Sequence, residues 1–117
     1  MSTEYQAKMI VGISLNEKEF FNYLEKFLGK DYLEENRKYT ALMLENFTYQ
    51  LFGEEGESFF VENEKEPYKF GIIIDNDQYF ADASKNIMLA SQIFSEKFNY
   101  KFKVAEIPKL ICDIFSF

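Results

Sequence analysis

The sequence predicts an α+β domain: a four-stranded sheet with helices on one face. Three observations predict it. Apolar runs with strand character alternate with runs at helical spacing. One strand-to-helix junction occurs twice. A single cysteine, Cys112, and the lack of any long apolar run leave no disulfide framework or membrane span to compete. The 117 residues fit one domain, 1–117.

The first element is "YQAKMIVGISL", residues 5–15, an apolar strand. Apolar residues fall on both of its faces: Met9, Val11 and Ile13, but also Ile10. In "NEKEFFNYLEKFLGK", Phe20, Leu24, Phe27 and Leu28 recur at helical spacing, and Gly29 suits a C-terminal stop. Residues 31–52 read as an extra helix with the stripe Leu33, Thr40, Leu44, Phe47 and Leu51, ended by Gly53. Within it, "KYTALML" at 38–44 also fits a strand. "EEGE" at 54–57 reads as a loop. "SFFVENE" and "PYKFGIII" then read as two strands joined by a hairpin loop, with Pro67 just ahead of the second. The last long helix carries Phe80, Ala83, Ile87, Ala90 and Phe94 at steps of three and four. "YKFKVAEI" at 100–107 reads as the final strand. The tail 108–117 fits either a short helix starting at Pro108 or an edge strand.

The repeated junction is "GISLNEKEFF" from Gly12 and "GIIIDNDQYF" from Gly71. In each, an aliphatic run ends a strand and an Asn or Asp follows. Asn16 or Asp75 is suited to cap the helix, with Glu19 or Gln78 reaching back to complete a capping box. Leu15 with Phe20, and Ile74 with Tyr79, are suited to act as hydrophobic staples. Two such junctions give the order β-α-β-β-α-β. This is a ferredoxin-like arrangement, with the first and third strands at the centre and a short apolar element at the C-terminus. Such an architecture carries no function of its own.

The chemistry is narrowed by what is missing. There is no histidine, so the usual neutral-pH base and the Ser-His and Cys-His pairs are absent. Asp75, Asp77 and Asp82 could be read as magnesium ligands at a strand end. However, Asn16 occupies the matching position in the first copy, and that exchange suits a cap better than a metal ligand. Cys112 lies in an apolar tail and reads as a buried thiol. No catalytic residue, metal site or cofactor is expected.

The formal charge of −7 disfavours direct nucleic-acid or anionic-membrane contact. It suits a basic protein partner, which could itself be a nucleic-acid-binding protein. The residues 54–66 concentrate Glu54, Glu55, Glu57, Glu62, Glu64 and Glu66 against Lys65 alone. Aromatics reach 19%, more than a small core is expected to hide. Tyr23, Tyr32, Tyr39, Tyr49 and Tyr100 are therefore candidate contact residues, Tyr49 foremost. The expectation is a cytoplasmic, non-enzymatic acidic protein, an inhibitor of the immunity or anti-defence type that blocks a basic surface. The alternative is a small-molecule-binding or regulatory module that forms a homodimer through its open sheet face.

Overall fold

The chain leaves its first strand through the polar latch read from the sequence. Asn16 Oδ1 accepts from Glu19 N–H at 2.8 Å, and Glu19 Oε1 accepts from Asn16 N–H at 3.2 Å. The capping box is complete. The computed structural model describes residues 5–74 and 76–116, with side chains described over 8–74 and 84–112. Asp75, read as the second cap, lies outside the described residues. The side chains of Gln78, Tyr79, Asp77 and Asp82 do too.

Strand β1 (Tyr5–Leu15) leads to helix α1 (Glu17–Leu28). Gly29 ends α1 at φ 94°, a conformation that favours glycine. The extra helix at 31–52 is two helices, α2 (Lys30–Asn36) and α3 (Thr40–Phe52). Asn36 explains the break: its Nδ2 donates back to Tyr32 O at 2.9 Å, and its carbonyl accepts from Tyr39 N–H at 2.8 Å. A side chain bonded to the preceding turn offers the backbone an alternative to further helix. A 3₁₀ turn, Gly53–Glu55, then opens the hairpin of β2 (Gly56–Phe60) and β3 (Tyr68–Ile74).

Helix α4 (Asn76–Phe94) continues through a π-helical turn, Ser95–Asn99, into a last α-turn, Tyr100–Phe102. The strand expected at 100–107 is therefore corrected. Phe98 and Phe102 lie 4.9 Å apart between ring centroids, and Phe94 and Phe98 lie 5.0 Å apart. The aromatic cluster holds this stretch helical until Lys103 turns left-handed at φ 56°. The fourth strand, β4, is Lys109–Ser116, so the tail takes the edge-strand alternative.

The strand order is β2-β3-β1-β4, with every neighbouring pair antiparallel. It follows that β1 runs with β2 and β3 runs with β4, each pair separated by one strand of opposite direction. Residues Met9, Val11, Ile13 and Leu15 of β1 face the helices with Phe70, Ile72 and Ile74 of β3. Phe47 sits near the middle of that core. Its ring meets Phe20, Phe27 and Phe70 edge-on at 5.6, 5.7 and 5.3 Å. Most of the phenylalanine surplus thus goes into the core.

The other face of the sheet carries a small second cluster: Ile10, Phe59 and Ile111, with Val61 packed on it. Phe59 comes from β2 and must cross β3 to meet residues of β1 and β4. Gly71 in β3 and Gly12 in β1 are paired in register.

Candidate interaction surface

Helix α3 lies beneath β2, the outermost strand on that side. A groove of about 390 Å³ opens between them. Its walls include Leu42, Glu45 and Tyr49 from α3, Glu54 from the 3₁₀ turn, and Glu57 from β2. Tyr49 is 60% exposed and Leu42 55% exposed, so large apolar area faces solvent here. Gly56 gives the strand its close fit to the helix. A Cβ there would lie 2.9 Å from Thr48 Cγ2 and from Phe52 Cβ.

A second groove continues along the same side, lined by Tyr39, Leu42, Phe60 and Glu62. Leu42 belongs to both, and Tyr39 is 56% exposed. The two grooves together flank β2 from the turn before it to the loop after it.

The acidic residues read from the sequence do not form one ridge. Glu54 and Glu57 join Tyr49 at the first groove, and Glu62 stands at the second. Glu55 turns toward α4, lining a groove with Ile72 and Leu89, and its carboxylate is 3.5 Å from Lys97 Nζ. Glu64 pairs with Lys69 at 2.8 Å. Glu66 is exposed in the hairpin loop and lines neither groove. Of the six, Glu57 alone lies in β2; Glu54 and Glu55 stand in the 3₁₀ turn before it, and Glu62, Glu64 and Glu66 in the loop after it. Glu57 is itself engaged, with Oε2 3.5 Å from Lys8 Nζ and Oε1 accepting from Ser58 N–H at 3.1 Å.

Sequence reading missed Leu42 and Glu45. The signal was there. Leu42, Glu45 and Tyr49 fall at helical spacing on α3, a face left over once Met43, Leu44, Phe47 and Thr48 are buried. The five candidate tyrosines divide. Tyr39, Tyr49 and Tyr100 are exposed. Tyr32 is half-buried, its hydroxyl accepting from Asn46 Nδ2 at 2.9 Å. Tyr23 packs edge-on against Phe98 and Phe102 at 5.2 and 4.9 Å. Burial, then the charges of Glu106 and Glu19, raise its phenol pKa.

Cys112 is exposed on β4, which corrects the buried thiol expected from its apolar neighbours. An edge strand has one flank uncovered, and apolar sequence does not change that. Among the described residues, no three His, Cys, Asp or Glu side chains gather as metal ligands. No helix among them is long and apolar enough to cross a membrane. No protein-family profile, curated protein or solved structure matches the chain.

Proposed function

We propose that this is a non-enzymatic acidic binding protein that inhibits a partner by covering a basic surface, docking through the α3–β2 side. One observation carries the reading: Tyr49, Glu54 and Glu57 meet at a single groove with Leu42 and Glu45. An exposed aromatic beside several carboxylates suits a partner rich in lysine or arginine. Aromatic side chains anchor, and acids steer the encounter and reject acidic competitors. A cytoplasmic setting belongs to the same proposal. So does the ferredoxin-like βαββαβ assignment, supported by the central β1–β3 pair and the two interlocked crossovers.

The test uses the chain and a Glu54→Lys/Glu57→Lys variant as baits in one cell extract at low and high salt. A true partner is retained by the unaltered chain, released by salt and absent from the variant. Equal retention by both baits overturns the reading.

The alternative is a regulatory module that dimerises through the sheet face without helices. It draws support from Ile73, 44% exposed on that face. It is weakened by the second cluster, which already covers Ile10 and Phe59 from within. Light scattering separates the two: a stable dimer with Ile73 buried favours the alternative.

A further inference from the structure

The α3–β2 side has a shape as well as a charge, and the shape points to what fills it. We propose that the partner docks an extended, lysine- or arginine-bearing segment that pairs along the open edge of β2 as a fifth strand. This rests on the reading of an acidic docking surface and specifies the occupant's conformation.

Four observations favour an extended chain. First, β2 ends the strand order among the described residues, which pair one of its two sides. Second, the two grooves run the length of β2 and share Leu42. Five strand residues span about 17 Å at ~3.3 Å each, which is the footprint of a short strand. Third, Gly56 and Ser58 are small, so a neighbouring backbone can come close. Fourth, Ser58 N–H is held by the neighbouring Glu57 carboxylate at 3.1 Å. It is a backbone donor that an incoming carbonyl can take over.

The charges select the occupant. Glu45, Glu54, Glu57 and Glu62 flank this edge. A second copy pairing there would bring like charges together, which opposes edge-to-edge self-association. A basic segment meets them with opposite charge, and its alternate side chains reach Tyr39, Leu42 and Tyr49. Main-chain bonds supply affinity and the side-chain contacts supply selection.

The experiment uses the full chain and four synthetic peptides of alternating residues. One is lysine-valine, two are the same peptide N-methylated at every second residue in either phase, and one is glutamate-valine. Binding is read by calorimetry, and amide exchange is followed at Gly56–Phe60. The lysine-valine peptide is expected to bind, to slow exchange in β2, and to lose binding to the Glu54→Lys/Glu57→Lys variant. One N-methylated phase should bind about tenfold weaker or worse, the loss expected for one or two backbone hydrogen bonds. Equal binding by both N-methylated phases overturns strand addition and leaves the acidic surface standing. Failure of the lysine-valine peptide to bind, equal binding to the charge-reversed variant, or binding of glutamate-valine just as well overturns the acidic surface, and strand addition with it.

Discussion

Gly12 and Gly71 stand opposite each other on the two central strands. A Cβ on Gly12 would overlap the Phe70 carbonyl oxygen and lie 2.6 Å from Gly71 Cα. A Cβ on Gly71 would overlap the Val11 carbonyl oxygen in the same way. These two residues also begin the repeated junction of the sequence. An approximate two-fold axis through their contact therefore relates β1 to β3.

Either glycine changed to alanine forces the central strands apart. The blocking atoms are backbone, which cannot swing away. The expected loss is about 3 kcal/mol or more, at the severe end for single substitutions. Urea denaturation followed by circular dichroism checks it. A loss under ~1 kcal/mol would sink the close-approach argument.

Asn16→Ala removes the first latch and should cost ~1 kcal/mol. Asn16→Asp should be nearly neutral, because the carboxylate also accepts from Glu19 N–H. Thermal unfolding of the two variants measures the difference. Equal losses would mean that the side-chain oxygen is not what stabilises the junction.

Phe47→Ala opens the centre of the aromatic core and should cost about 3–5 kcal/mol, with Phe47→Leu costing less. Phe47 packs edge-on against three rings and stacks on Phe102 at 6.1 Å. Tyr100→Ala makes the control. It is 73% exposed, and its marked contact is the Lys103 ammonium 4.0 Å from the ring centroid. Its loss should stay within ~0.5 kcal/mol.

Alkaline pH should destabilise the fold through two tyrosines. Tyr68 has its pKa raised by burial and by the charge of Glu17, against a hydrogen bond with Thr40 that lowers it. Tyr23 is raised by burial, Glu106 and Glu19. A raised phenol pKa means that the unfolded chain releases its proton first. Their contribution is thus complete below about pH 10 and is lost as pH climbs through the folded values. Urea midpoints across that range should fall less steeply in Tyr23→Phe/Tyr68→Phe. An unchanged slope would remove these residues from the explanation.

The Lys69–Glu64 pair ties β3 to the hairpin loop, and Lys69 Nζ also donates to Ser14 Oγ at 3.2 Å. Glu64→Gln should cost less than ~1 kcal/mol at low ionic strength, and the cost should shrink in salt. Stability of the two chains at low and high salt checks it. A cost that salt leaves unchanged would point to packing instead of charge.

The first junction and the central strands were legible because their signals are local. Asn16 and Glu19 lie three residues apart, and β1 announces itself by composition. The helical turn at Tyr100–Phe102 was not legible. Tyr100, Phe102 and Val104 alternate like a strand, and only packing of Phe102 on Phe98 and Tyr23 decides otherwise. The break at 37–39 depends on one side chain, Asn36, folding back on its own helix. At the candidate surface, Tyr49, Glu54 and Glu57 were readable as types. Their grouping was not, because sequence neighbours such as Glu55 and Glu64 are drawn off by lysines distant in the chain or across the hairpin.

The interlocked order of strands has a consequence for how the molecule comes apart. β3 lies between β1 and β2, and β1 lies between β3 and β4. A cut in the hairpin loop would leave two fragments, neither with adjacent strands of its own to pair. The midpoint of the sequence is therefore no seam: the two halves should melt in one cooperative step, and either fragment alone should stay unstructured until it meets the other.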